Sequence, residues 1–320
     1  MPDNATKSRV RFVDIDAEGA GQRIDNFLLG QLKGVPRSLV YRLLRTGQVR
    51  VNKGRSKPHY KLQAGDRVRI PPVTHNDKPV SVSPRQRDLE LLSKQILFED
   101  PSMIIINKPS GMAVHGGSGV SYGVIEAFRK LRPQEKFLEL VHRLDRDTSG
   151  CLILARKRSA LVKLHEMLRR EANGKIDKTY LALVKDIWAG PKQRVNQPLL
   201  RNAMKSGERF VQVSDEGKPA CSVFVARKNY PQAGAALVEV RLLTGRTHQA
   251  RVHSAYIGHP IAGDDKYGDR TFNRAMREAG LKRLFLHASR LRFNHPLEDR
   301  LMDIEAPLPA PLEQVLENLS

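Results

Sequence analysis

Cysteine is nearly absent: Cys151 and Cys221 are the only two in 320 residues, and no Cys-x-x-Cys pair occurs. A disulfide framework and a zinc ribbon are therefore not expected. Long apolar runs are missing as well, so no membrane-spanning helix is expected. The first residues, MPDNATKSRVRF, lack the apolar core of a secretion signal. Together these absences make the cytoplasm the expected location. Negative charge is also scarce. Asp and Glu number 34 against 55 Lys and Arg, a net charge of +21. A field of that sign and size attracts polyanions, and nucleic acid is the expected partner class. An anionic membrane would call for a basic amphipathic helix, and none stands out. Nothing in the pattern demands an oligomer, so a monomer is the default expectation.

The positive charge is concentrated. Between Gln31 and Ile70 stand eleven Lys or Arg against Asp66 alone. The same stretch carries a core pattern. Ile24, Phe27, Leu28 and Leu32 recur at helical spacing, as do Leu39, Leu43 and Leu44 after the break GVPRS. QVRVNKG then alternates Val49 and Val51 with basic residues and turns at Asn52-Lys53-Gly54, and DRVRIPP adds a short strand. Two helices and a hairpin with Arg37, Arg42, Arg45, Arg50, Lys53 and Arg55 left outside describe a compact RNA-binding module over 19–80. A solvated basic surface would carry the same charge, but not the coincident core pattern. Residues 1–18 read as an extension. PPVTHNDKPVSVSPRQRDLELLS, from Pro71 to Ser93, is rich in Pro and Ser and reads as a linker, assigned to 81–95.

From Ile96 the signals are strand-rich: MIIINK, CLILARK, TYLALVK, ERFVQVS, ALVEVRLL and LFLHASRLRF. Helical patterns cover Gly123–Leu131 and Ser159–Glu171. Strands outnumber helices without regular alternation, which predicts an α+β domain over 96–320 with a mostly antiparallel sheet.

Several chemistries can be set aside. HGGSGVSYG, from His115, lacks the Gly-Lys-Ser/Thr ending of a phosphate loop and the spacing of a dinucleotide fingerprint, so no cofactor is expected. His248 and His253 are five apart with no acidic partner at metal-ligand spacing, so no metal is expected. TSG, ending at Gly150, is not a nucleophile elbow. What remains is VHRLDRDTSG, from Val141 to Gly150, with KTYLALV and LLTGRTHQARVH. These place Asp145, Tyr180 and Arg246 at strand ends, where side chains are held stiffly. A carboxylate kept ionised by a guanidinium, beside an aromatic face, would make a nucleobase pocket. Each residue taken singly also suits an ordinary surface or core position, and spacing alone does not select a reaction.

HRLDRDTSG closely resembles the signature of the RluA family of pseudouridine synthases. NKPSGMAVHGG, KTYLALV, GRTHQARVH, HPIAGDDKYG and RLFLHASRLRF are similar to its other motifs, in family order, over nearly all of Ile96 to Ala306. The basic module resembles the ribosomal S-four-type RNA-binding domain. Ala250, where a larger aliphatic is usual, and Cys151, where Leu or Val is frequent, are apolar-for-apolar departures. The resemblance implies a pseudouridine synthase fold and isomerisation of uridine to pseudouridine without cofactor or metal. It points to the type that modifies several uridines of large-subunit (23S) ribosomal RNA. Asp145 would be the essential carboxylate, Tyr180 would stack on the uracil and help remove a proton, and Arg246 would pair with Asp145. Arg143 would fill the gap left by the flipped base. His142 would be either a buried hydrogen-bonding residue or an RNA contact, and Asp147 would support the loop. The same chemistry on transfer RNA or on other ribosomal sites is the alternative. A non-catalytic ribosome-assembly factor would explain the charge but not the Asp-Tyr-Arg set.

Overall fold

The computed structural model describes residues 9–17, 19–32, 35–73, 83–117, 120–169, 176–203 and 209–320. The chain divides into two compact units, Met1–Val82 and Ser83–Ser320. In the first, β1 (Arg11–Asp14) precedes α1 (Ile24–Gln31) and α2 (Arg37–Arg45). The strands β2 (Arg50–Val51), β3 (Gly54–Arg55) and β4 (Arg67–Ile70) follow, and the sheet order is β1-β4-β2-β3. The two helices and the hairpin are as expected. Asn52 and Lys53 both have positive φ, the backbone of a two-residue turn whose twist matches the flanking strands. Ile24, Leu28, Val40, Leu44, Val49, Val68 and Ile70 form the core. Asp66 is buried and supports the hairpin by accepting from Asn52 Nδ2 (2.8 Å), Tyr60 Oη (3.0 Å) and the Gln63 N–H (2.8 Å).

Two expectations need correction here. Of the expected extension 1–18, residues 1–8 and 18 lie outside the described residues, but β1 pairs antiparallel with β4 and Ile15 joins the core. A strand of four residues with Phe12 left exposed gives little periodic signal. The expected linker at 81–95 is also largely helix. Its part up to 82 lies outside the described residues, but α3 (Gln86–Ser93) buries Leu89 and Leu92, three apart, in the core of the second unit. The preceding run of Pro and Ser obscured the start of that helix.

The second unit continues with β5 (Ile96–Glu99), β6 (Met103–Lys108), α4 (Val124–Leu131), β7 (Glu139–Leu140), β8 (Ser149–Ala155) and α5 (Arg158–Arg169). Residue 171, the expected end of the last helix, is outside the described residues. Next come β9 (Asp177–Lys185), β10 (Lys192–Asn196), the hairpin β11 (Leu199–Ala203) and β12 (Arg209–Val213), β13 (Cys221–Tyr230) and β14 (Ala235–Leu242). The chain ends with α6 (Gln249–Tyr256), α7 (Arg270–Glu278), β15 (Leu286–Asn294), β16 (Leu301–Glu305) and α8 (Ala310–Asn318). The large sheet runs β10-β13-β14-β9-β15-β8-β6-β5, with β16 on β15 and β7 on β8.

Of the strand pairs in that sheet, β15 with β8 is parallel and the others are antiparallel. β6 and β8 are buried along their whole length, as befits central strands covered on both faces. One face packs Ile104, Ile106, Leu152 and Leu154 against α3 and α4 through Leu89, Leu92, Val124 and Phe128. The other packs Met103, Ile105, Cys151 and Ile153 against Leu164 of α5 and Met302 of β16. Burial also pushes the Cys151 thiol up to about 12. Where β8 meets β15, Gly150 lies opposite Ala288 with φ +111°. A Cβ there would lie 2.6 Å from the Ala288 backbone N and C, so no other residue fits without backbone movement.

Candidate active site

Asp145 lies in the loop between β7 and β8, and that loop is held from below. Lys108, fully buried at the end of β6, donates to the carbonyls of Pro109 (2.9 Å), Met112 (2.8 Å) and Arg146 (3.0 Å). The Gly111 N–H also reaches the Arg146 carbonyl (2.9 Å), and Ser110 Oγ donates to that of Asp147 (2.7 Å). Arg283 Nη2 donates to Ser149 Oγ (2.8 Å). Ser149 Oγ in turn donates to His287 Nδ1 (2.9 Å), and His287 Nε2–H donates to the Ala306 carbonyl (3.1 Å). That chain fixes the tautomer of His287, and burial lowers its pKa to about 4. The side chain of Asp147 pairs with exposed Arg146 (3.2 Å) while its carbonyl anchors the loop, a supporting role as expected.

The loop presents Asp145 to a cavity of about 390 Å³. Tyr180 on β9, Arg143 and His142 of the same loop, and Arg246 after β14 also line it. The expected set is therefore gathered around one space. Lys178, which opens the KTYLALV strand, and Arg169, which the sequence reading did not single out, add two further cations to its wall. Tyr180 is buried. Burial, with Asp145 nearby, drives its phenol well above the usual range. At neutral pH it offers the cavity an aromatic ring and a protonated hydroxyl. His142 accepts the Ile153 N–H at Nε2 (3.2 Å), and burial lowers its pKa to about 3, so it is neutral and tied to β8. It makes the hydrogen bond of the first expected role and also lines the cavity, as the second would require.

The arginine partner of Asp145 differs from expectation. Arg251 Nη1 stands 3.5 Å from Asp145 Oδ2. Arg246 instead turns its Nε to the Pro219 carbonyl (2.9 Å) at the cavity rim. The reason is local. Gln249, buried at the start of α6, accepts from Thr244 Oγ1 (2.7 Å) and the Arg246 N–H (3.0 Å) and donates to the Cys221 carbonyl (2.9 Å) and Ser222 Oγ (3.0 Å). His248 then adopts φ 54°, a left-handed conformation uncommon outside glycine, and α6 starts with Arg251 facing the loop. Arg251 is in turn gripped by Asp264, 1% exposed, through Nε and Nη2, both at 2.7 Å. Its neighbour His248 places Nε2 at 3.8 Å from Asp145 Oδ1. Arg251, His248 and Asp264 were not singled out in sequence. The two arginines of GRTHQAR differ only in where the helix begins.

In the first unit, Arg37, Arg42, Arg45, Arg50, Lys53 and Arg55 are all exposed. Arg42, Arg45 and Arg55 line one open groove of about 800 Å³ with Tyr41 and Lys57. Arg37, Arg50 and Lys53 are not among its lining residues. Arg50 bonds back to the Gly47 (3.2 Å) and Lys53 (3.3 Å) carbonyls. Elsewhere in the second unit, Asp100, His295 and Glu298 lie within reach of one another, and Arg300 ion-pairs with Asp100 (3.1 Å) and Glu298 (2.6 Å). No described helix is long and apolar enough to cross a membrane.

A family model for RNA pseudouridylate synthase matches residues 102–256, which hold Asp145, Tyr180 and Arg251, and one for the S4 domain matches 22–68. Ribosomal large subunit pseudouridine synthase C of Escherichia coli is 56% identical over 313 residues, 97% of each chain. The chain belongs to the RNA pseudouridylate synthase family. The synthase of the same name from Pasteurella multocida is 54% identical over 308 residues, 96% of this chain and 93% of that one. Among solved structures, human RNA pseudouridylate synthase domain containing 4 superposes with a TM-score of 0.57 at 26% identity, covering 73% of this synthase and 95% of that chain. This synthase is accordingly an isomerase with an S4 domain at its N-terminal end and an α+β catalytic domain.

Proposed function

We propose that the protein isomerises specific uridines of large-subunit (23S) ribosomal RNA to pseudouridine, acting as a cytoplasmic monomer. The observation that carries the reading is Asp145 at the wall of a cavity that Tyr180 and the cations Arg143, Arg169, Lys178 and Arg246 also line. The near full-length likeness to large-subunit synthases supports the substrate. A stacked uridine is out of reach of any side chain, so the target must flip out. The cavity volume lies within the usual range for a small-molecule site. Tyr180 gives the uracil a face to stack on. Arg143, exposed at the rim, occupies the gap left in the RNA. Arg169, Lys178 and Arg246 meet the phosphates on either side.

The reaction breaks the bond from the uracil ring nitrogen to the sugar, turns the base, and rejoins it through the fifth ring carbon. No atom is gained or lost. Asp145 either forms a covalent bond to the substrate or takes a sugar proton to give a glycal. Both roles need an aimed carboxylate: Arg251 faces Asp145 with its guanidinium, and Asp264 holds Arg251 in place. The S4 domain adds affinity through its basic groove. Mapping pseudouridines in ribosomal RNA from cells with and without the gene tests the reading. Sites lost from 23S RNA on deletion are the expected result, and an unchanged map contradicts it.

A further inference from the structure

Tyr267 lies beyond the segment matched by the synthase family model, between α6 and α7. Its hydroxyl accepts the Val211 N–H of β12 (3.1 Å) and stands 2.8 Å from His248 Nδ1. Its ring packs on Phe210 of β12, centroids 4.9 Å apart, and under the Arg251 guanidinium at 5.1 Å. The backbone N–H of Val211 can only donate, so the Tyr267 oxygen accepts there and its own proton is directed to His248 Nδ1. His248 is then left with its proton on Nε2, the nitrogen that faces Asp145 Oδ1 at 3.8 Å. The opposite tautomer would aim a lone pair at a carboxylate. Asp145 thus has Arg251 on one oxygen and His248 on the other. Both partners are set by one short segment: Asp264 holds Arg251, and Tyr267 holds His248. That segment is clamped by α7, where Asn273 accepts the Gly263 N–H (2.8 Å) and donates to the Asp264 carbonyl (3.0 Å).

We propose that Tyr267 is a positioning residue for the reaction: it selects the Nε2–H tautomer of His248, aims that donor at Asp145, and links the aim to the hairpin β11–β12. This rests on Asp145 being the essential carboxylate. A distance of 3.8 Å is too long for a hydrogen bond, and catalytic contacts of this kind tighten once substrate is bound. The charged groups around His248 are Asp145, Arg251, Lys266 and Asp264, with Arg143 and Arg246 on the cavity side. Burial lowers the pKa of His248, so the ring is neutral in the working range.

Nitrogen-15 NMR of the His248 imidazole in the intact protein reads the tautomer directly, whatever the fate of any variant. The Nε2–H form is expected, and the Nδ1–H form overturns the proposal. The kinetic arm uses Tyr267→Phe, which keeps the ring on Phe210 and Arg251, with tritium release from a uridine-labelled 23S transcript. The expected kcat is about tenfold lower with KM near that of the parent, the pattern of a lost transition-state contact. In the nitrogen-15 spectrum of Tyr267→Phe the Nε2–H fraction of His248 should fall, because no donor is left to hold Nδ1 as an acceptor. Adding Tyr267→Phe to His248→Asn should cost nothing further. Unchanged kcat with an unchanged tautomer, or additive losses, would overturn the proposal. Loss of all turnover in Asp145→Asn is the separate test of the reading beneath it.

Discussion

Arg251→Met separates the two arginines of GRTHQAR. Arg251 is 12% exposed and its Asp264 partner 1%, joined by two bonds at 2.7 Å. Removing one member of such a buried pair leaves an uncompensated charge, typically a loss of 3–5 kcal/mol. Asp264 keeps the Lys266 and Tyr267 N–H donors at 2.9 and 3.0 Å, so the expected loss is at the low end, about 3 kcal/mol. Asp264→Asn in the same chain removes the stranded charge and should recover much of that loss. Activity should not return, because Asp145 still lacks its guanidinium. A misaimed catalytic group costs on the order of a hundredfold. Arg246→Met removes one partly exposed bond to the Pro219 carbonyl, about 1 kcal/mol. Urea unfolding and tritium release on the single and double variants decide the matter. A loss below about 1 kcal/mol in Arg251→Met, or activity restored in the double variant, would refute the reasoning.

Three further outcomes follow from the same geometry. Gly150→Ala should cost about 3 kcal/mol or more, adding left-handed strain to overpacking against Ala288, and wild-type stability in urea would contradict that contact. His287 is fully buried with its pKa lowered to about 4 from an ordinary 6.5, so the unfolded chain takes up its proton first as pH falls. The stability it contributes above pH 6.5 is lost progressively down to pH 4, about 3 kcal/mol, and His287→Gln should flatten that limb of the acid unfolding curve. An equally steep limb in the variant would contradict this. Replacing Arg42, Arg45 and Arg55 by Ala should lower the slope of log K against log salt for ribosomal RNA by about 2 to 3, and an unchanged slope would remove the groove from the binding account.

The apolar strands were open to sequence reading because β6 and β8 are covered on both faces and their side chains run unbroken: MIIINK and CLILA. The helices α1 and α2 were legible for a different reason, an apolar stripe at helical spacing in each, with charge on the other face of α2. Asp145 and Tyr180 were legible through motifs. Arg251 was not, because which arginine meets Asp145 depends on the left-handed backbone at His248 and the side-chain bonds of Gln249, neither of which leaves a periodic trace. Asp264 and Tyr267 escaped for a related reason. Their partners lie 13 and 19 residues away across a turn, and only the closed fold joins them.

The central claim is that one carboxylate does the chemistry while the rest of the site binds and aims. Asp145→Asn keeps the size and most of the hydrogen-bonding capacity of the side chain and removes its charge. Tritium release and filter binding on the same labelled 23S transcript test the claim most directly. Turnover should vanish while affinity stays near that of the parent. Measurable release at the parental rate would contradict the account.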